Sequence, residues 1–210
     1  LHKAIRRQRQ MCIRDRQAAL KRLARPRRKG IVGVNIGANK DASDRIADYV
    51  TGVKAMADVA SYLTVNISSP NTPGLRSLQD KGALDDLLAR VMEARGPLGP
   101  PVFLKVAPDL EPADIDDIAQ VATSHHVDAL IVSNTTISRP PLKSTHAGES
   151  GGLSGAPLKS LAHQRLRDFR KATGGSIPLI GVGGIASAED AYDRIRAGAS
   201  LIQLYSALVY

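Results

Sequence analysis

The sequence predicts an α/β fold built on a parallel sheet, and three observations carry that reading. Short apolar runs rich in β-branched residues alternate with amphipathic stretches from about residue 31 onward. The runs do not alternate internally, as parallel strands covered on both faces do not. Each run ends at or near a polar residue or a glycine: Asn35, Asn66, Lys105, Asn134, Gly183 and Tyr205. A closed barrel gathers every strand end around one mouth, whereas an open doubly wound sheet uses only those near its switch point. No glycine fingerprint follows the first run. The expected architecture is therefore a TIM (β/α)8 barrel, incomplete here, with about six of its eight strands.

The strands are expected at residues 31–36, 62–67, 102–106, 129–133, 178–182 and 201–204. Helical periodicity fills the intervals. Ser43 can cap a helix whose apolar face is Ile46, Val50, Val53 and Ala57. Leu84, Leu87, Leu88, Val91 and Met92 follow the i, i+3, i+4, i+7, i+8 pattern. Pro112 suits the first turn of a helix carrying Ile115, Ile118, Ala119 and Ala122. Leu158, Leu161, Leu166 and Phe169 line another. Ser187 and Asp190 form a capping-box pattern for a last helix ended by Gly198.

A chain of 210 residues with 43% hydrophobic content can bury one sizeable core. Its single cysteine, Cys12, excludes a disulfide framework and a cysteine-based metal site. No run of about 18 apolar residues is present to span a membrane, and the start lacks the apolar segment of a signal peptide. The net charge of +9 is local: residues 1–30 hold 12 of the 29 Lys and Arg against one acid, Asp15. The other 180 residues carry a net −2. With no aromatic interleaving to stack bases, the basic end reads as a solvated tail and not a nucleic-acid site. The histidines His2, His125, His126, His146 and His163 have no partners at ligand spacing, so no metal is expected.

Residues 66–76, Asn-Ile-Ser-Ser-Pro-Asn-Thr-Pro-Gly-Leu-Arg, form a loop directly after a strand, with two amides, three hydroxyls and a basic residue. Amides donate and accept, which suits the edges of an amide-rich heterocycle. Lys105 closes an apolar strand, so its amine must reach a polar cavity or an anion. Ser133-Asn134-Thr135-Thr136 closes the next strand. Gly151-Gly152-Leu153-Ser154-Gly155 and Gly181-Val182-Gly183-Gly184-Ile185 are glycine loops whose amides can approach a phosphate. The second precedes a capped helix, in the region where barrels often hold one. The residues alone thus describe a barrel holding a phosphorylated cofactor beside an amide-rich substrate.

In order and spacing, these motifs, together with Gly33-Val34-Asn35-Ile36-Gly37 and Lys105-Val106-Ala107-Pro108-Asp109, resemble the class 2 dihydroorotate dehydrogenases from about Ala18 to Tyr210. The resemblance implies an FMN barrel that oxidises dihydroorotate to orotate in pyrimidine synthesis, with a quinone as final oxidant. It implies Ser69 as the base, where class 1 relatives place a cysteine, and Thr72 as a relay toward solvent. It implies FMN contacts at Asn35, Asn66, Lys105, Ser133, Gly155, Gly183, Gly184, Tyr205 and Ser206, the phosphate lying at Gly184 and Tyr205-Ser206. Substrate contacts are implied at Asn66, Asn71, Asn134 and Thr135. The parent protein is expected to be peripheral on the cytoplasmic face of a bacterial inner membrane, or on the mitochondrial inner membrane. The oligomeric state is left open.

The sequence also departs from that pattern. About two earlier strands, with further FMN contacts, a substrate lysine and an Asn-Arg-Met-Gly-Phe loop, are expected before Ile31 and are absent. So are the membrane-docking helices and the helix after the last strand. Residues 1–17 match nothing in the pattern and are set apart as an atypical basic segment, disordered or artefactual, from a partial FMN-binding barrel at 18–210. Such a chain should show open strand edges and exposed apolar helix faces. Two alternatives remain: another FMN barrel oxidoreductase, of class 1 or dihydropyrimidine dehydrogenase type, or an inactive fragment.

Overall fold

A computed structural model describes residues 13–24, 30–142 and 147–209. His2, Cys12, His146 and most of the segment at 1–17 lie outside them. Six parallel strands form one sheet in sequence order: β1 (Gly33–Ile36), β2 (Tyr62–Asn66), β3 (Val102–Val106), β4 (Ala129–Val132), β5 (Leu179–Val182) and β6 (Leu201–Gln203). The described helices are α1 (Ile13–Leu23), α2 (Arg45–Met56), α3 (Lys81–Arg95), α4 (Pro112–Ser124), α5 (Lys159–Ala172) and α6 (Ala188–Arg196). The fold is an incomplete (β/α)8 barrel, a curled half-barrel with helices outside.

The register sorts the strand residues into two faces, since partners in a parallel sheet point the same way. Leu63, Val65, Val102, Leu104, Val106, Leu130, Val132 and Leu179 face the helices and form the main core. They meet Tyr49 and Val53 of α2, Leu84, Leu87, Leu88 and Val91 of α3, Ile115 and Ile118 of α4, and Leu166 and Phe169 of α5. The inner face carries Asn35, Thr64, Phe103 and Ala129 in one row and Asn66, Lys105, Ile131 and Ile180 in the next. Only Ala129, Ile131 and Ile180, with Phe103 and Val182 packed on them, make an apolar cluster there. Burial is continuous along β4 and through the middle of β2, as expected of strands covered on both faces, and alternates only along β3. On the inner face Asn35 is exposed and Asn66 and Lys105 are partly exposed, while Thr64, Ala129, Ile131 and Ile180 are buried.

Three local expectations are corrected. The buried face of α2 is Tyr49, Gly52, Val53 and Met56; of the expected residues Val53 belongs to it, Ile46 packs on the core while only partly buried, and Val50 and Ala57 are partly exposed. The helix packs through Gly52, where a β-carbon would lie 2.6 Å from Ile36, so the close approach rotates the face. Its cap is Asp44, whose carboxylate accepts the Ala47 amide, not Ser43. The Ser187–Asp190 capping pattern of α6 holds, with Ser187 accepting the Asp190 amide and the Asp190 carboxylate meeting the backbone amides of Ser187 and Ala186 as well as Lys159. Leu161 is only partly covered in α5.

The strand edges are open, as expected. Ile31 before β1 is 83% exposed, and Leu201 in β6 is 59% exposed. Tyr192 and Ile195 present an apolar strip on α6. No helix among the described residues is long and apolar enough to cross a membrane.

Candidate active site

Because all strands are parallel, the loops that leave their C-terminal ends rise at one mouth. Asn66 ends β2, and its Oδ1 accepts the Ser68 hydroxyl at 2.7 Å and the Ser68 amide at 3.2 Å. Asn134, just past β4, donates its amide to the Ser68 hydroxyl at 2.9 Å and approaches Asn66 Oδ1 at 3.5 Å. Its own Oδ1 takes the Thr135 amide. The structure thus brings Asn66, Asn134 and Thr135 into one network through Ser68, a buried residue to which sequence reasoning gave no separate role.

Asn71 is exposed and donates its backbone amide to the Ser69 hydroxyl at 3.3 Å. No hydrogen bond joins Ser69 to Thr72 among the described residues, and Thr72 uses its carbonyl to accept the Leu75 amide. Ser133 is buried, and its amide donates to the Val182 carbonyl. Asn35 lies exposed on the edge strand β1.

Lys105 projects from the inner face of β3, in register with Asn66. Burial alone pushes its amine below the usual lysine range, and no carboxylate pairs with it among the described residues. A half-buried amine without a counter-charge suits an anion. The rings of Phe103 and Tyr62 stack at 4.7 Å on the same inner face. The Tyr62 ring lies where a side chain at Gly33 would project, 2.1 Å from that β-carbon.

The far side of the mouth is built from glycines. Gly184 has φ +67°, and a β-carbon there would sit 2.5 Å from Lys159 Cα and 2.7 Å from its amide nitrogen. Only glycine lets this turn lie against the start of α5. Arg194, 2% exposed, donates Nη2 to the carbonyls of Gly183 and Lys159, each at 2.8 Å, and so fastens turn to helix. Burial lowers its pKa, with Asp190 and Asp193 opposing. Ser206 Oγ donates to Ser154 Oγ at 3.3 Å and lies beside Gly155, while Tyr205 is 76% exposed. Gly155, Ser154 and Ser206 therefore meet, with glycine turns on one side, in an arrangement suited to a phosphate.

Sequence reasoning missed Tyr49, Asp109 and Arg194 as supports of the mouth. Tyr49 is fully buried and donates its hydroxyl to the Asn66 carbonyl at 2.6 Å. Asp109 pairs with Arg76 at 2.8 Å and accepts the hydroxyls of Thr136 and Ser138 and the Ile137 amide. Burial acts to raise the Asp109 pKa, but those hydrogen bonds and the Arg76 charge outweigh it and hold the carboxyl below its ordinary range. Asp109 stood inside a quoted motif, the signal that could have found it. A buried tyrosine or arginine on a helix leaves no such mark. No group of three or more potential metal ligands occurs among the described residues.

Comparisons with known proteins agree in kind. A family model described as dihydroorotate dehydrogenase matches residues 10–210. A protein of Novosphingobium aromaticivorans named dihydroorotate dehydrogenase (quinone) is 68% identical over 200 residues, covering 92% of this chain and 57% of its own length. One of the same name from Erythrobacter litoralis is 70% identical over 187 residues, covering 89% and 54%. A crystal structure of DHODH from Eimeria tenella in complex with ferulenol has a TM-score of 0.83 at 39% identity, covering 93% of this chain and 57% of that one. The chain spans a little over half the length of the curated relatives it matches.

Proposed function

The chain belongs to the dihydroorotate dehydrogenase family, and on that premise we propose that its mouth is the substrate and flavin side of a quinone-dependent dihydroorotate dehydrogenase. The observation that carries the reading is the amide and hydroxyl network of Asn66, Ser68 and Asn134 beside a half-buried Lys105 that no carboxylate pairs with among the described residues. Asn66, Asn71, Asn134 and Thr135 supply donors and acceptors for the ring amides and carboxylate of dihydroorotate. The residues also fit FMN. Gly155, Gly183, Gly184, Tyr205 and Ser206 would hold its phosphate, and Asn35, Asn66, Lys105 and Ser133 its ring and ribityl chain. FMN, when bound, supplies the acceptor for the hydride that leaves the substrate.

In this reading Ser69 takes the proton from the carbon next to the one that loses hydride. A serine hydroxyl is a weak base, so it requires an accepting partner and a dry site. Thr72 is the proposed relay from Ser69 to solvent, which requires the loop to move, since no hydrogen bond joins them here. Lys105 would hold the bound cofactor and supply positive charge to favour its reduced form. The name of the relatives, dihydroorotate dehydrogenase (quinone), points to a quinone as the oxidant. A peripheral position on the bacterial inner membrane follows from that oxidant as part of the same proposal.

FMN fluorescence quenching followed by anaerobic addition of dihydroorotate tests this. The flavin should bind, bleach with dihydroorotate, and recolour with a quinone but not with fumarate. Failure to bind FMN, or recolouring by fumarate alone, would sink the proposal.

A further inference from the structure

Arg76 reaches three loops of the mouth at once. Its Nε donates to the Ser68 carbonyl at 3.1 Å, after β2. Its Nη1 donates to Asp109 Oδ2 at 2.8 Å, after β3, and its Nη2 to the Thr135 carbonyl at 2.9 Å, after β4. Asp109 then accepts from Thr136, Ile137 and Ser138, all on the loop after β4. Behind the pair, Gln79 donates to the Arg76 carbonyl and accepts the Ala107 amide, so the two chain segments are fixed to each other from below.

An arginine in a polar loop at such a mouth invites the role of anchor for a substrate carboxylate. The geometry argues otherwise. The guanidinium charge already has a carboxylate, and its fork is committed to main-chain carbonyls on two sides of the site. Ser69 and Asn71 follow Ser68 directly, and Asn134 precedes Thr135. The spacing between these substrate-facing groups is therefore set by one planar side chain of fixed shape.

We propose that Arg76 and Asp109 are positioning residues that hold the β2 loop and the β4 loop at the separation the substrate requires, and that Arg76 does not bind the substrate carboxylate. This rests on reading the mouth as a dihydroorotate site. Arg76→Lys keeps the charge but cannot bridge both carbonyls. Asp109→Asn removes the counter-charge and the carboxylate that accepts from Thr136, Ile137 and Ser138, while the two carbonyl contacts of Arg76 remain.

The test measures orotate affinity and FMN affinity by titration calorimetry in the parent, Arg76→Lys and Asp109→Asn. Amide hydrogen exchange at residues 135–138 is followed without ligand. Both substitutions should weaken orotate by about tenfold or more, the loss of one charge-assisted hydrogen bond, while FMN affinity holds. Exchange at Ile137 should quicken in both. If Arg76 were instead the carboxylate ligand, Asp109→Asn would leave orotate as tight or tighter, and Arg76→Lys would retain most of the affinity. Either outcome overturns the proposal, as does unchanged exchange at residues 135–138. A parent that binds FMN but no orotate would end the functional reading, while the exchange data would still decide the loop coupling.

Discussion

Tyr49→Phe isolates a single hydroxyl that supports the candidate site from beneath. Tyr49 is fully buried under β1 and β2, and its hydroxyl donates to the Asn66 carbonyl at 2.6 Å while the Ala38 backbone interacts with the same oxygen. Burial raises the phenol pKa above its ordinary value, so the group remains a donor across the usable pH range. Phenylalanine keeps the ring and opens almost no cavity, so the packing contribution is retained. What changes is that the partly buried Asn66 carbonyl loses its Tyr49 donor. An unpaired buried acceptor costs about 1–3 kcal/mol. With the Ala38 backbone deprived of its partner too, about 2 kcal/mol is expected, which in a chain of this size lowers Tm by about 4–8 °C. Urea and thermal unfolding followed by circular dichroism measure the loss. Tyr49→Ala, which also removes the ring, should cost about 3–5 kcal/mol. A Tyr49→Phe protein within about 0.5 kcal/mol of the parent would refute the reasoning, because surface-like substitutions fall in that range.

Three further outcomes are expected. Gly184→Ala places a β-carbon 2.5 Å from Lys159 Cα at φ +67°, so it should lower Tm and weaken FMN binding, read by fluorescence quenching. Lys105→Met should raise stability near pH 7 while weakening FMN binding. The lysine pKa is depressed on folding, so the unfolded chain binds more protons between the two values, and the variant's advantage should shrink as pH rises toward about 10.4. Asp109 is depressed in the opposite sense for an acid, so its contribution is present above about pH 4 and is lost as pH falls through the folded value. Urea midpoints of parent and Asp109→Asn should therefore differ by a constant amount above pH 5 and converge at lower pH.

The strands and the mouth were legible because two signals coincide in them. β-branched runs such as the one at 129–132 are short enough to be strands and too apolar to be surface, and each closes on a polar residue. Asn66, Asn134 and Lys105 could be singled out for that reason, and the structure sets them together. The helix faces were less legible. In α2 the apolar residues outnumber those one face can bury, so the choice fell to a tertiary contact, Gly52 against Ile36. The supports of the site were hidden for a different cause. Arg76 with Asp109 is separated by 33 residues, and Tyr49 with Asn66 by 17, so neither pair has a local signature.

The position of the main core has a consequence for how such a protein can change. Nearly all of the large apolar contacts lie between sheet and helices, and the concave wall holds only a small cluster around Ala129, Ile131 and Ile180. The layer that keeps the chain folded and the layer proposed to meet a ligand are thus different sets of residues, interleaved one by one along the strands. Mutation can rewrite the inner wall without renegotiating the architecture behind it. The inheritance of a new specificity is, in this arrangement, a matter of every second residue.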